Sequence, residues 1–372
     1  MKKTISILLA VIMVLSVLFA VPFSTSAQET QTAQTAVESE GYLYELLPDG
    51  TAEITESDFY IETANIPSTI DGYTVTSIGE KAFWMCINLT EVIIPDTVTN
   101  ISKDAFGMCE KLETIIIPES VTSVGPSAFK CTPWLENRRS GCVYINNILY
   151  TYQGECAPGT EVIVRDGTTT IAESAFADCR NIVSVIIADT VTTVCEGAFA
   201  NCKDLENVRY SYSATEISDS AFYGCTSLVS FTIPESIEII GEKAFFGCTE
   251  FNRVTIPASV TEIGAQALSY YSNEAGELCK IEGLTICGYI GSEAHKYAKE
   301  NEINFEYFDD VLIGDADGNG YITIIDATTV QLYIAQSITL DELRLFCADA
   351  NEDGDVNVMD VTRIQMMIAK LV

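Results

Sequence analysis

The chain has 372 residues, which is enough to bury a substantial core and allows two domains or one long array of repeats. Its 53 acidic residues against 20 basic ones give a net charge of −33. Such a field repels phosphate backbones, which argues against nucleic acid as a partner and favours a cation such as calcium.

The N-terminus is typical of an export signal. Two lysines at positions 2 and 3 precede an apolar run, and small residues near position 27 offer a cleavage site. The run is slightly long for a signal core, so an uncleaved membrane anchor stays open as an alternative. We predict a signal peptide over 1–27 and a disordered leader over 28–44, and no later stretch is apolar enough to span a bilayer.

The sequence then repeats itself every 23 residues. Each repeat carries an Ala-Phe pair, with Leu replacing Phe in the last copy, and the alanines are Ala82, Ala105, Ala128, Ala175, Ala198, Ala221, Ala244 and Ala267. One step, from 128 to 175, is 47 residues, or two periods plus one residue. Self-similarity at this period predicts stacked units, each too small to bury its own apolar face.

Within a repeat, alternation predicts a short strand, as at Leu112-x-x-Ile115-x-Ile117. Pro118 ends that strand because proline has no backbone donor for the next ladder bond. We expect the Ala-Phe pair on the return side of the coil, with alanine where neighbouring coils crowd and phenylalanine in the core.

Thirteen cysteines in an exported chain first suggest disulfides. Six of them, however, lie three residues after the Phe of their repeat, and Cys131 lies two after its own. The six are Cys86, Cys109, Cys179, Cys202, Cys225 and Cys248. We predict a ladder of buried free thiols, with disulfides or a metal site as alternatives. Outside the ladder, Cys142 and Cys156 flank one predicted hairpin and are the best disulfide candidates.

The pattern I-G-x-x-A-F-x-x-C-x-x-L-x-x-V-x-I-P resembles the BspA-like class of leucine-rich repeats over roughly residues 45 to 307. The resemblance implies an α/β repeat solenoid with a parallel β-sheet. The stretch "CVYINNILYTY" (142–152) reads as a hairpin turning at Asn146-Asn147, such as often interrupts these arrays. The stretch at 284–308 resembles their strand-and-helix cap. We predict a solenoid over 45–310, a hairpin insertion at about 136–160 and a cap at about 278–308.

Two twelve-residue stretches near the C-terminus, "DADGNGYITIID" and "DANEDGDVNVMD", have the oxygen pattern of calcium loops. Calcium takes six to eight oxygens, and a glycine at the sixth place allows the sharp turn. The predicted ligands of the first loop are Asp315, Asp317, Asn319, the Tyr321 carbonyl, Thr323 and Asp326. Those of the second are Asp349, Asn351, Asp353, the Asp355 carbonyl, Asn357 and Asp360. We therefore expect two calcium ions, although the loops could serve only to stabilise the C-terminus.

Each loop is followed by an apolar run that is compatible with a helix, and no comparable helix pattern precedes either loop. The tail at 311–372 resembles a type I dockerin, a small all-α module with two EF-hand-like loops. The resemblance implies that calcium holds the module folded and that its helices bind a cohesin module of a scaffold protein. In the best-known dockerins a Ser-Thr type pair at the tenth and eleventh places helps to choose the partner. Here those places hold Ile324 and Ile325, then Val358 and Met359, so a more apolar contact is predicted.

The solenoid should bind its ligand on the sheet face, through outward residues of the strands. One outward column begins with Ile93, Ile116, Ile163 and Ile186 and continues with Arg209, Thr232 and Thr255. Four exposed isoleucines would suit a protein partner, although β-branched residues also simply favour strands. A glycan would more often require aromatic rings in this column. The ligand, protein or glycan, stays open.

Enzyme chemistry has little support in the sequence. Dockerins usually accompany polysaccharide-degrading enzymes, but most acidic residues here fall at variable repeat positions or in the calcium loops, and no segment is left for a catalytic domain. His295 is the only histidine, and we predict it to be an exposed residue of the cap helix.

The sequence thus predicts a secreted, non-catalytic binding protein that joins a cellulosome-type assembly for polysaccharide degradation. Cell-surface adhesion or host interaction is the alternative, and a glycoside hydrolase component is a further one.

Overall fold

The computed structural model describes residues 37–308, 312–319 and 321–371. The predicted signal peptide and residues 28–36 of the predicted leader lie outside the described residues. No helix within the described part of the chain is both long and apolar enough to cross a membrane.

The strands of the first half are β1 (Val37–Ser39), β2 (Tyr42–Leu46), β3 (Ala52–Ser57), β4 (Thr63–Asn65), β5 (Thr69–Ile70), β6 (Tyr73–Ile78), β7 (Glu91–Ile93), β8 (Asn100–Ile101), β9 (Thr114–Ile116), β10 (Ser123–Val124), β11 (Gly141–Ile145) and β12 (Ile148–Gln153). Those of the second half are β13 (Thr160–Ile163), β14 (Thr170–Ile171), β15 (Ile182–Ile186), β16 (Thr193–Val194), β17 (Asn207–Arg209), β18 (Glu216–Ile217), β19 (Ser230–Thr232), β20 (Ile239–Ile240), β21 (Arg253–Thr255), β22 (Glu262–Ile263), β23 (Tyr270–Ser272), β24 (Leu278–Lys280), β25 (Thr285–Gly288) and β26 (Asn304–Tyr307). The helices are α1 (Pro133–Glu136), α2 (Glu293–Glu300), α3 (Ile324–Ile334), α4 (Glu342–Ala348) and α5 (Val358–Ile368).

Parallel strand pairs form on two sides of the solenoid. On the side that we call the sheet face, the groups are β4-β7-β9, β13-β15-β17 and β19-β21-β25-β26. On the other side, the groups are β3-β6-β8-β10, β12-β14-β16 and β18-β20-β22, and most of their strands are only two residues long. Within the repeats, partners lie one period apart, as where Glu91 pairs with Thr114. The parallel sheet predicted by the repeat pattern is therefore present, and a second, narrower set of parallel pairs accompanies it.

The return side of each coil is held by hydrogen bonds of its own. The N–H groups of Lys81, Phe83 and Met85 donate to carbonyls of the next coil at 3.2, 2.8 and 3.0 Å. Lys81 and Met85 adopt left-handed backbone, with φ of 60° and 59°, and the same two positions recur in the other coils. Left-handed backbone costs a residue with a Cβ roughly 1–2 kcal/mol. We attribute its persistence to the inter-coil bonds that this backbone aligns.

The core is a stack of phenylalanine rings that is divided into two parts. Phe83, Phe106 and Phe129 stack with centroids 4.9 and 5.6 Å apart. Four further rings, Phe176, Phe199, Phe222 and Phe245, continue at 5.0, 5.4 and 5.3 Å. The hairpin lies between the two stacks, because its Tyr150 packs on Phe129 and its Tyr152 on Phe176. The buried residues of the solenoid accordingly form two hydrophobic clusters, which we call the N-terminal and C-terminal blocks.

The cysteine ladder is composed of thiols that form no disulfide. The thiols of Cys109, Cys202, Cys225 and Cys248 each donate to the carbonyl of the Phe one coil earlier, at 3.0–3.2 Å. Burial raises the pKa of the Cys109 and Cys248 thiols to about 12, so these groups stay protonated donors.

Three details of the cysteine prediction need correction. Cys179 is half-buried because the hairpin, rather than a regular coil, precedes its repeat. In the repeat of Cys131, Thr132 takes the ladder position and donates to the Phe129 carbonyl at 2.7 Å. Cys142 and Cys156, the disulfide candidates, are both free, with Cys156 buried in the C-terminal block.

The start of the solenoid also differs from the prediction. Residues 37–44, which we assigned to a disordered leader, form β1 and the first part of β2, antiparallel to each other. Tyr42 and Tyr44 are 7% and 4% exposed, and the Tyr42 ring packs edge-on against Phe83 at 6.0 Å. These strands cover the first coil, which would otherwise expose its apolar interior to water.

Strands β11 and β12 form a hairpin between the two ring stacks, and β25, α2 and β26 follow the last repeat. Strands β11 and β12 turn at Asn146, whose φ is 51°, and its side-chain amide donates to two carbonyls of the preceding coil. Helix α2 buries Ala294, Tyr297 and Ala298 against the last coils, and the Tyr297 hydroxyl donates to the Leu268 carbonyl at 3.2 Å.

The tail is a small helical unit in which α3 packs against α5. Its core contains Ala327, Val330, Val361 and Ile364. A helix does precede the second loop, contrary to our expectation. Helix α4 is seven residues long and begins at Glu342, after the N-cap Asp341, whose carboxylate accepts from the Arg344 N–H at 2.9 Å. Two turns of helix are too short to give a clear apolar periodicity in the sequence.

We predict that the two blocks of the solenoid can be destabilised separately. Phe222→Ala removes a fully buried ring from the C-terminal block and should cost that block about 3–5 kcal/mol. Both tryptophans, Trp84 and Trp134, lie in the N-terminal half. In urea unfolding, circular dichroism should therefore show a lower midpoint, whereas the midpoint of tryptophan fluorescence should move much less.

Phe106→Ala is the matched variant in the N-terminal block, and it should lower the fluorescence midpoint. Equal shifts of both signals in both variants would mean that the solenoid unfolds as one cooperative unit.

Candidate metal centre

The first loop of the tail brings three carboxylates together. One oxygen from each of Asp315, Asp317 and Asp326 lies within 4.8 Å of the others. Asp326 is fully buried and Asp315 is 6% exposed. Burial, together with the negative charge of Asp326, raises the pKa of Asp317. Three crowded carboxylates with few compensating cations fit a divalent cation that takes oxygen ligands.

The last carboxylate of each loop connects the loop to the helix that follows. Asp326 accepts from the Asp317 N–H at 3.0 Å through Oδ1 and from the Thr323 N–H at 2.7 Å through Oδ2. Asp326 is the third residue of α3 and forms a capping box with Thr323, the N-cap. The twelfth residue of the loop, a predicted ligand, therefore lies in the first turn of the helix.

The second loop repeats this arrangement. Asp360 accepts from the Asn351 N–H at 3.1 Å and from the Asn357 N–H at 2.8 Å, and Asn357 and Asp360 form the capping box of α5. Asp349 accepts from the N–H groups of Asp353 and Gly354 at 3.1 and 2.8 Å. Because the third place holds Asn351 instead of an aspartate, this loop has a different distribution of carboxylates from the first.

The remaining predicted ligands lie around the same loops. Asn319 donates to Asp317 at 2.8 Å and accepts from the Tyr321 N–H at 2.9 Å. In the second loop, the Asn357 amide donates to the Asp355 carbonyl at 3.0 Å. A bound calcium ion would replace several of these internal hydrogen bonds and would neutralise the clustered charge.

The side chains at the tenth and eleventh loop places point into solvent. Ile324 and Ile325 are 60% and 56% exposed, and Val358 and Met359 are 65% and 58% exposed. All four lie in the first turns of α3 and α5. We call them the two apolar pairs. Four large exposed apolar side chains on a small helical unit form a plausible protein-binding surface.

The predicted isoleucine column is exposed, but it is divided. Ile93 and Ile116 are register partners in one group of strands, and Ile163 and Ile186 are partners in another. Their exposed fractions are 37%, 51%, 72% and 39%. Strand β11 of the hairpin belongs to neither group, so the two isoleucine pairs do not share one ladder. Next to Ile186 stands Arg209, which forms an ion pair with Asp189 at 2.8 Å.

His295 is not the exposed helix residue that we predicted. It is half-buried because the rings of Phe305 and Phe346 pack on it, with centroids 5.0 and 5.9 Å away. Its Nδ1 accepts from the Gly291 N–H at 3.1 Å. Phe346 belongs to α4 of the tail, and sequence reasoning missed this contact because neither residue belongs to a repeated pattern.

Comparison with known proteins gives two family matches. The BspA type leucine rich repeat region matches in six copies, over residues 52–147 and 144–275. The dockerin type I domain matches residues 313–369. No curated protein matches the chain.

Several solved structures of bacterial leucine-rich repeat proteins are similar to the chain. A leucine rich cell surface protein from Faecalibacterium prausnitzii is 22% identical, with 71% of this chain and 97% of that one covered and a TM-score of 0.37. A leucine rich repeat protein of T. pallidum is 25% identical, with coverages of 58% and 91% and a TM-score of 0.33. One from Bacteroides ovatus is 21% identical, with coverages of 73% and 100% and a TM-score of 0.31.

We predict that Asp326→Asn weakens calcium binding at the first loop and destabilises the tail. The substitution removes a charged ligand and weakens the capping box of α3, so affinity at this loop should fall at least about tenfold. Calorimetric calcium titration of the whole protein, followed by circular dichroism with and without chelator, measures both effects.

Glu352→Gln is the matched control, since it removes the same charge at the exposed fourth place of the second loop. If the two variants bound calcium equally well, Asp326 would not be a ligand.

Proposed function

The chain belongs to the BspA-type leucine-rich repeat family and ends in a dockerin type I domain, and from this we propose that it is a secreted, non-catalytic binding protein. Its tail attaches the solenoid to a cohesin-bearing scaffold in a calcium-dependent manner. The solenoid presents a recognition surface within an assembly that degrades polysaccharides.

Two calcium ions are part of this proposal, one in each loop. The observation that carries it is the close cluster of Asp315, Asp317 and Asp326, whose last member also starts α3. Because the loops and the helix starts share residues, binding of the metal and folding of the tail are expected to be one process. Calcium would hold the charged loops closed; the cohesin contact would be made by the helices.

The two apolar pairs are the proposed cohesin contact. They lie at equivalent places of the two repeats, so each repeat offers one pair to the partner. Apolar side chains at these places favour a cohesin whose surface is also apolar, because burial of this area then contributes most of the affinity.

The two isoleucine pairs of the sheet face are the proposed contact for the solenoid's own ligand. A protein ligand suits them better than a glycan, since the column offers apolar and β-branched side chains and no aromatic ring. One argument supports the non-catalytic role. In the described part of the chain, the residues that could carry chemistry belong to the coils, the hairpin, the cap and the calcium loops.

We predict that the purified protein binds a cohesin from a panel of such modules when calcium is present and loses binding in chelator. The double variant Ile325→Asp with Met359→Asp should weaken binding at least about thirtyfold, because it places unpaired charges in an apolar contact. Isothermal titration calorimetry gives the affinity, and a parallel calcium titration gives the number of ions.

Leu343→Asp is the control, because Leu343 is similarly apolar and 43% exposed but lies on α4, outside the two apolar pairs. Calcium uptake by the native protein without binding to any cohesin of the panel would leave the loops as structural sites and would contradict the docking role.

A further inference from the structure

The tail contacts the cap of the solenoid through one aromatic residue. The Phe346 ring packs edge-on against His295 at 5.9 Å and against Tyr307 at 5.6 Å. His295 belongs to α2 and Tyr307 to β26, which are the last two elements of the cap. Edge-to-face aromatic pairs at these distances stabilise a contact beyond the area that they bury.

A cleft of about 490 Å³ continues this contact towards the second calcium loop. Lys296 and Lys299 of α2 line it on the side of the cap, and Asp349 and Asp355 line it on the side of the tail. Cations are few in this chain, which has 20 Lys and Arg residues against 53 acidic ones. Two lysines of the cap and two acids of the second loop thus line one cleft and are complementary in charge, and Lys296 also forms an ion pair with Glu293 at 2.9 Å.

The contact of Phe346 with the cap is linked to the second calcium loop through helix α4. Helix α4 carries Phe346 and ends at Ala348, immediately before the first ligand of the second loop. The Asp349 N–H still donates to the Leu345 carbonyl at 3.1 Å, so the position of the ligand and the end of the helix are linked. Calcium that fixes Asp349 would thereby fix the last turn of α4 and the ring that it presents to the cap.

We propose that the solenoid cap is an intramolecular docking surface for the dockerin tail, and that calcium in the second loop stabilises this contact. The two apolar pairs lie on α3 and α5 and stay exposed, so the cap leaves them free for a scaffold. Solenoid and tail then form one body, and the solenoid is held in a defined orientation on the scaffold. The proposal rests on the calcium binding proposed above but does not depend on cohesin recognition.

Hydrogen–deuterium exchange of the whole protein tests the coupling. Peptides that cover residues 293–300 belong to the cap and contain no predicted calcium ligand. In the native chain, removal of calcium by chelator should raise exchange in these peptides at least about twofold, because the covering tail is released. Unchanged exchange at 293–300 on chelation would overturn the proposal.

Phe346→Ala should raise exchange at 293–300 in the presence of calcium and should make it insensitive to chelator. Leu343→Ala is the matched control, because it truncates an exposed apolar residue of the same helix that does not line the cleft. If both variants behaved like the native chain, Phe346 would not hold the tail.

Lys299→Glu tests the contact from the other side and leaves every residue of the tail intact. Like charge opposite Asp349 and Asp355 should raise exchange across 342–348 when calcium is present. Lys203→Glu makes the same charge change at an exposed position of the solenoid, outside the cleft, and should have no such effect. Equal exchange across 342–348 in the two variants would contradict the lysine–loop pairing. Cohesin titration of the same variants is a separate readout, so a chain that fails to bind cohesin can still support or overturn the contact.

Discussion

The fixed spacing of 23 residues between hydrogen-bonded neighbours is the constraint on which the solenoid depends. Within the repeats, each coil is hydrogen-bonded to the next on the sheet face, on the narrow second face and on the return side, and all three ladders share this period. Pairing over other lengths occurs at the two ends of the array, as where Thr63 pairs with Glu91 and Arg253 with Thr285. The phenylalanine stack and the cysteine ladder follow from the same register, since equivalent residues of successive coils lie about one strand spacing apart. Left-handed backbone at residues such as Lys81 is tolerated because it aligns the hydrogen bonds between coils.

The repeat solenoid and the dockerin tail could be predicted from the sequence, because the pattern of each occurs more than once in the chain. Seven Ala-Phe pairs and one Ala-Leu pair mark the coils, and two loops near the C-terminus share one oxygen pattern. The features that were missed occur once. Strands β1 and β2 depend on two tyrosines that cover the first coil, and α4 is too short to show a period. His295 and Phe346 are 51 residues apart in the sequence, and no local pattern predicts their contact.

The tail joins two requirements in the same few residues. Asp326 and Asp360 are predicted metal ligands, and they also cap the helices that carry the two apolar pairs. Burial of a charged carboxylate costs free energy, and a bound cation would offset that cost. The burial of these two side chains is therefore consistent with a cation in each loop. The solenoid face has no such strict chemistry. Its exposed isoleucines fit many apolar partners, and this is why the sequence defines the attachment of the molecule more sharply than the ligand it carries.

The hairpin at 141–153 has a consequence for how such an array changes in evolution. Gain or loss of one whole repeat of 23 residues keeps the hydrogen-bond register of the coils on either side of it. The hairpin lies within the one step of 47 residues, and its two tyrosines pack on the ring stacks on either side. Coils can thus be gained or lost in one block while the other block, with its covering strands or its cap and tail, is inherited unchanged.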